Sequence, residues 1–329
     1  MHHLIVNPVA GRGRGSSLVG RAAAALERAG LPFAVHYTEG SGHATELVAG
    51  LDDGAIPVAF GGDGTVHEVM IGCVRRDLPL ALVPCGSGDD FAFSMGLKRH
   101  DVDRAMEVII ANEERLVDVG CVGDEPFINS FGSGFDADVA RRIVHAPGYY
   151  RGLGKYLYGI FTAMQDFRLP EAVVTLDGVE VFSGPSLLVT FQNGPRTAGS
   201  FLFAPDARPD DGQLDVVIAA DFSRLGALGV LPSVIRGRHV GHPRIRIIRA
   251  SRATVRWSHP VSAHTEGEML AMGTDFDVSL TTRSLRVVAP PGPRALHASG
   301  GARSVTHEAT QSDETPREEE EAPVAARTR

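Results

Sequence analysis

Three times within the first 95 residues, a short apolar run passes through a glycine-bearing loop into a helical pattern. Leu4-Ile5-Val6 leads through Asn7-Pro8 and Ala10-Gly11-Arg12-Gly13-Arg14-Gly15 into an alanine-rich helix from about Ser16 to Ala29. Ile56-Pro57-Val58-Ala59-Phe60 leads through Gly61-Gly62-Asp63-Gly64-Thr65 into Val66, Val69, Met70 and Cys73, spaced as one face of a helix. Leu80–Pro84 leads through Cys85-Gly86-Ser87-Gly88-Asp89-Asp90 into Phe91–Met95. A further strand, Phe33–Thr38, precedes a helix opening at Gly42-His43-Ala44-Thr45. Such alternation builds a parallel sheet covered by helices on both faces, and ligands of such sheets sit outside the carboxyl ends of the strands. The three glycine loops therefore face one crevice.

The loop at 61–65 carries the sharpest chemistry. A strand, a glycine turn and a helix N-terminus gather unpaired amides in one concavity, where those amides and the helix dipole favour phosphate oxygens. Gly61, Gly62 and Gly64 let a ligand approach the backbone. Asp63 is a carboxylate beside that anion, which suits a Mg²⁺-nucleotide better than a bare phosphate. The bland alternative is a tight βα turn in which Asp63 and Thr65 only cap the helix. The first loop matches a dinucleotide fingerprint weakly, because Ser16 stands where the third glycine belongs. Its Arg12 and Arg14 read as a phosphate clasp or as ordinary loop solubility.

Beyond the helix Asp101–Ala111 the pattern changes. Leu116–Val119, Ala172–Leu176, Leu187–Phe191 and Leu214–Ile218 are short strand-like runs separated by Gly, Pro, Asn and Asp, the signature of an antiparallel β-sandwich. His145–Phe167 reads as a helical excursion whose tyrosines suggest core or interface packing. From Arg236 to Arg256 stand seven arginines and no acid: either solvated strand faces or a surface for anionic lipid headgroups. From Pro290 the chain turns to Pro, Gly, Ser, Thr, Glu and Arg, an expected disordered tail.

A formal charge of −8 argues against non-specific nucleic-acid binding. Lys98 and Lys155 are the only lysines, so arginine does nearly all cationic work. Cys73, Cys85 and Cys121 lack metal-type spacing and read as buried thiols of a reducing compartment. Met1-His2-His3-Leu4 runs straight into a strand, with no room for a signal peptide, and no apolar run nears the ~20 residues of a membrane span. A cytoplasmic protein is expected.

Taken in order, the motifs resemble those of the diacylglycerol kinase family of lipid kinases, which includes the sphingosine kinases and bacterial lipid kinases. Asn7-Pro8-x-Ala10-Gly11 is similar to its opening, Thr38 with Gly42-His43-Ala44 to its second motif, and Gly61–Val69 to its nucleotide signature. Pro84-x-Gly86-Ser87-Gly88-Asp89-Asp90-Phe91-Ala92 resembles the family's Pro-x-Gly-Thr-Gly-Asn-Asp-Phe-Ala. Ala204-Pro205-x-Ala207 with Asp210-Asp211-Gly212-x-Leu214-Asp215 resembles a structural-Mg²⁺ loop, and Glu266-Gly267-Glu268 stands where the family has Asp-Gly-Glu. The likeness spans about residues 4–288.

The resemblance implies a nucleotide-binding α/β domain over 1–115 with 276–289, a β-sandwich lipid domain over 116–275, and a tail over 290–329. It implies ATP with Mg²⁺ bound by Asn7, Thr38, Gly61, Gly62, Asp63, Gly64, Thr65, Glu68, Gly86, Ser87 and Asp89. Asp63 and Glu268 are the implied catalytic residues, Glu268 as general base toward a lipid hydroxyl. Asp211 with the carbonyls of Arg208 and Gln213 would hold a structural Mg²⁺. A lipid acceptor, diacylglycerol-like or sphingoid-like, and a transient stay at the inner face of the membrane follow from the same likeness. Oligomeric state, a homodimer included, stays open.

Three positions depart from the pattern. Ser87 replaces threonine and keeps its hydroxyl, Asp89 replaces asparagine and adds a charge, and Glu266 replaces aspartate with one more methylene. Two other readings compete: an NAD kinase, which shares the GGDGT loop, and a non-catalytic lipid or nucleotide sensor, which Asp89 alone recommends.

Overall fold

The computed structural model describes residues 1–291; the expected disordered tail, apart from its first two residues, lies outside the described residues. Strands β1 (His2–Val6), β2 (Phe33–Tyr37), β3 (Ile56–Gly61) and β4 (Leu80–Pro84) alternate with helices α1 (Arg14–Arg28), α2 (His43–Ala49) and α3 (Asp63–Arg76). Then come α4 (Asp90–Ser94) and α5 (Val102–Ala111). The four strands pair in parallel in the order β2-β1-β3-β4. β1 and β4 are buried throughout and β3 nearly so, hence their unbroken apolar runs, whereas edge strand β2 is only half-buried. Right-handed crossovers in this order put α1 opposite α2 and α3, and α1 packs with α5 while α2 packs with α3. The order reverses between β1 and β3, so their loops flank the switch-point crevice.

The second lobe is antiparallel. It comprises β5 (Glu114–Val122), β6 (Glu125–Phe127), β7 (Ser130–Gly134), α6 (Phe135–Ile143), α7 (Leu153–Ala163), β8 (Glu171–Leu176), β9 (Val179–Gln192) and β10 (Leu214–Ala220). It continues with α8 (Arg224–Ile235), β11 (Ile245–Ala250), β12 (Arg252–Val261), β13 (Ala263–Thr265), β14 (Glu268–Met269) and β15 (Gly273–Val288). Early β9 pairs with β8 and late β9 with β7 and β10, so one strand crosses between the two layers at Gly184-Pro185. Phe127, Phe131, Phe191, Val255 and Trp257 are among the side chains that fill the space between. Strand β15 is shared: Asp275–Ser279 pairs with β12, whereas Val287 and Val288 pair in parallel with Leu80 and Ala81 of β4.

Two expectations need correction. The excursion at 145–167 is helical only from Leu153, because Pro147, Gly148 and Gly152 interrupt the segment before it. The sandwich also carries α6 and α8, beyond the one helical excursion read from the sequence; α8 is apolar on nearly all sides and shows no periodic stripe to betray it. Of the three cysteines, all free, Cys73 and Cys85 are buried and Cys121 is half-buried.

Candidate active site

The sequence motifs converge at the carboxyl ends of β1, β3 and β4. Asn7 Nδ2 donates to Thr65 Oγ1 (3.3 Å), joining the first loop to the second. The Thr65 side chain lies over Gly61, where an added Cβ would stand 2.3 Å from Oγ1. Glu68 turns sideways: its Oε2 accepts from Ala44 N (3.1 Å) and its carbonyl from Thr45 Oγ1 (2.8 Å), pinning the start of α2. Thr38 continues the ladder, donating its N–H to Val6 O (2.9 Å). The side chains of Arg12 and Arg14, read as a phosphate clasp, lie outside the description.

The second and third glycine loops touch backbone to backbone. A Cβ on Gly86 would stand 2.4 Å from Gly62 Cα, and one on Gly88 would stand 2.3 Å from Asp63 Oδ2. Asp63 accepts from Asp89 N (2.7 Å) and from Asp90 N (2.6 Å), so both its oxygens are used in shaping the neighbouring loop. Burial raises the Asp63 carboxyl above the ordinary range, while those amides and Arg196 pull it down. The carboxylate that seemed odd beside phosphate thus has partners of its own. Ser87 stays exposed at the loop's tip.

Asp89 adopts a left-handed backbone (φ 54°) and accepts from Gly86 N through Oδ1 (2.9 Å). Its buried Oδ2 has no hydrogen-bond partner and lies 3.5 Å from Arg99 Nε. Burial, then the nearby Asp63 charge, push this carboxyl up to about 7. The folded state therefore holds a proton that the unfolded chain releases near pH 4, and stability falls as pH rises from about 4 through 7. Asp89→Asn keeps the acceptor and removes that charge. Its melting temperature should match wild type near pH 4 and exceed it near pH 8, by the equivalent of ~2–4 kcal/mol. An equal or lower melting temperature at pH 8 would mean the Arg99 pairing outweighs burial.

Asp90 and Arg196 link the lobes. Arg196 Nε donates to Asp90 Oδ1 (2.7 Å), Nη2 donates to the carbonyls of Gly88 and Asp89, and the guanidinium lies 4.1 Å from the Phe93 ring centroid. Asp90 also accepts from Gly199 N (3.0 Å). Neither Arg196 nor Gly199 belongs to a motif legible in the sequence.

Glu266 and Gly267 form the turn between β13 and β14, both with positive φ (54° and 87°), and Glu268 is the first residue of β14. The two carboxylates diverge. Glu266 Oε1 accepts from the amides of Ile128 (2.8 Å), Asn129 (2.7 Å) and Ser130 (3.3 Å), and burial raises this carboxyl to about 8. Glu268 is exposed and overhangs the second glycine loop; a Cβ on Gly64 would stand 3.3 Å from its Oε1.

A cavity of about 150 Å³ opens beside these groups. Asp63, Asp90, Asn129, Ser130, Asp136, His264 and Glu266 contribute its polar lining. Most of the rest is apolar, from α6, α7, β9, β10 and α8, with Val139, Ile160, Leu188, Phe201, Val217 and Val234 among its walls, beside Thr197 and His239. Tyr156, expected only to pack, lines it as well.

In the loop that the resemblance assigns to a structural Mg²⁺, the one carboxylate of the set stands among arginines. Asp211 accepts from Gln213 N (3.2 Å) and lies 3.7 Å from Arg249, while Arg208 and Arg115 reach Asp210. The adjacent Asp118 takes the amides of Gly212 and Arg283 (both 2.7 Å). Among the described residues no group of three or more His, Cys, Asp or Glu side chains is set to hold a metal. Arginines supply charge to Asp210 and Asp211 here. In the arginine stretch, Arg244, Arg249 and Arg256 pair with Asp221, with Asp211 and Asp215, and with Asp275, while Arg246 lies over Phe182. Arg246, Arg249 and Arg256 thus serve on strand faces, and Arg244 in the turn before β11.

Glycine loops at the strand ends, with an apolar cavity and a carboxylate-bearing turn beside them, suit a kinase acting on an apolar substrate. Comparison gives the same class. The diacylglycerol kinase catalytic domain model matches residues 2–122, and the YegS C-terminal NAD kinase beta sandwich-like domain model matches residues 129–289. A diacylglycerol kinase from Bacillus subtilis is 30% identical over 295 residues, covering 87% of this chain and 95% of its own. One from Mycobacterium tuberculosis is 27% identical over 295 residues, covering 87% and 94%. In fold, the chain is similar to a crystal structure of a diacylglycerol kinase from Bacillus anthracis (TM-score 0.67, 20% identity, 88% of this chain and 97% of that one). The chain belongs to the diacylglycerol kinase family and is a lipid kinase, with ATP as the substrate that the family implies. No described helix is long and apolar enough to cross a membrane.

Proposed function

We propose that the chain transfers the γ-phosphoryl of Mg²⁺-ATP to the hydroxyl of a lipid whose hydrocarbon lies in the apolar cavity, with Glu268 as general base. The observation that carries this reading is the cavity itself, whose lining joins the glycine loops (Asp63, Asp90) to the apolar walls of α6, α7 and α8. The amides of Gly62 and Gly64 cradle the phosphates, with Thr65 and Ser87 at hand for hydroxyl contacts, while the Gly86 amide stays on Asp89 and lets the two loops approach. Asp63 acts by holding the third loop in shape. Glu268 accepts the hydroxyl proton as the new O–P bond forms, and the old P–O bond leaves its electrons on ADP. Phosphoryl transfer needs positioning and charge stabilisation more than covalent chemistry, so such a set suffices. The Mg²⁺ that ATP carries neutralises developing phosphate charge.

The lipid reaches the cavity from a bilayer touched peripherally. Helices α7 and α8 line the cavity on one side and leave Phe161 (63%) and Leu225 (82%) exposed on the other. Residues 1–115 with 276–289 act as the nucleotide unit and 116–275 as the lipid unit, and the protein works at the cytoplasmic face.

The test is transfer of labelled phosphate from ATP to a panel of lipids and to NAD, with wild type and Ala219→Phe. Ala219 lines the cavity on β10, so phenylalanine there fills hydrocarbon space. The lipid KM should rise at least about tenfold, roughly 1.4 kcal/mol, with the ATP KM unchanged. Label in NAD, or an unaltered lipid KM, would overturn this reading.

A further inference from the structure

Asp136, the second residue of α6, is built into the cavity with one oxygen unused. Its side chain is 11% exposed and lines the cavity beside His264. Oδ2 lies 3.5 Å from His264 Nε2. His264 Nδ1 accepts the Gly267 N–H (3.2 Å), which leaves the proton of a neutral ring on Nε2, facing the carboxylate. Gly132 makes room for this arrangement: a Cβ there would stand 2.0 Å from Asp136 Oδ2 and 2.8 Å from His264 Nε2. One carboxylate oxygen is thus oriented through His264 by the same turn that carries Glu266 and Glu268. The other, Oδ1, is buried and has no hydrogen-bond partner.

A buried acceptor without a donor is costly, and a carboxylate oxygen accepts but cannot donate unless protonated. A ligand that fills the cavity relieves that cost only by bringing an N–H or O–H to Oδ1. The hydroxyl to be phosphorylated is directed to Glu268, so a second donor on the lipid is required. The esters of a diacylglycerol accept but do not donate. A diol or an amino alcohol carries the missing donor next to the reacting hydroxyl.

We infer that Asp136 is the specificity-determining residue of the acceptor subsite and that it selects lipids carrying a second hydroxyl or amine beside the phosphorylated hydroxyl. This rests on the lipid-kinase reading above and narrows its substrate class. Sites that recognise a donor discriminate strongly against analogues lacking it, because the buried partner is left unpaired.

The experiment uses the full chain and three single-chain acceptors: 1-oleoylglycerol and its 2-O-methyl ether, which differ in the second donor, and sphingosine, whose second donor is an ammonium. Both kcat/KM for phosphate transfer and the thermal shift on binding without ATP are measured. Wild type should prefer the free diol by about tenfold or more in kcat/KM and show the larger thermal shift with it. Asp136→Ala should bring the ratio close to one, and Asp136→Asn, which keeps the shape should the alanine variant misfold, should lower an added preference for sphingosine's ammonium. Equal use of the two glycerols by wild type, or a preference that survives both substitutions, would overturn the inference. If no lipid is phosphorylated, the transfer reading fails, while the thermal shifts still decide the role of Asp136.

Discussion

Glu268→Gln should lower kcat by ~10²–10⁴, the range lost with a positioned proton acceptor, and leave ATP affinity within about threefold of wild type. The amide has the shape of the carboxylate and cannot take a proton. Glu268 is delivered by a two-residue strand whose pairing, Thr265 with Glu268 and His264 with Met269, fixes its direction. Its carboxylate overhangs Gly64, at the loop that offers its amides to phosphate. It touches that loop without holding it together, since Asp63, Thr65 and Glu68 do so. Single-turnover transfer from ATP, with nucleotide binding followed separately, reads the two quantities apart. Loss of ATP binding would make Glu268 part of the nucleotide cradle. Undiminished turnover would move the base elsewhere on the turn.

How far the sequence carries depends on the distance over which an interaction acts. The first lobe is legible because its elements are local: apolar runs of strand length, glycines at the turns, and helical spacing that follows each. The order of glycine loops then places Asn7, Gly61–Thr65 and Gly86–Asp89 at one crevice, where they are found. The partners of those residues are another matter. Asp90 meets Arg196 across 106 positions, and Ile128 N meets Glu266 across 138, so no spacing rule reaches them. Asp63 illustrates the consequence. Its charge beside a phosphate cradle is conspicuous in the sequence, but its actual partners, the amides of Asp89 and Asp90, depend on how the two loops dock. The cavity is the extreme case, drawing its walls from residues 63 to 267. The arginine-rich stretch left two readings open for the opposite reason: composition counts charges, whereas pairing with Asp211, Asp215, Asp221 and Asp275 favours solvated faces for Arg244, Arg249 and Arg256.

Glu266 differs from its neighbour on the turn in kind, and its replacement should show this. In sequence it is a lengthened aspartate. In the fold, the extra methylene lets one oxygen take three amides at the corner leading into β7, and the Glu266 N–H returns to Ser130 O (3.1 Å). Glu266→Ala strands those donors in a buried corner, at about 1–3 kcal/mol for each one left unsatisfied. A total of ~3–5 kcal/mol is a large share of the 5–15 kcal/mol that holds a typical domain together. Glu266→Gln keeps an oxygen for the same amides and should fold normally. It should also alter the pH profile in a defined direction. With its carboxyl raised to about 8 by burial, the folded chain retains a proton that the unfolded chain loses near pH 4.5, so wild type loses stability as pH climbs between those values. The glutamine variant lacks that contribution, and its advantage over wild type should grow from pH 6 to about pH 9. Urea unfolding of the three proteins at both pH values measures this. An alanine variant within about 1 kcal/mol of wild type would mean that water satisfies the amides and that Glu266 is free to act in the cavity it lines.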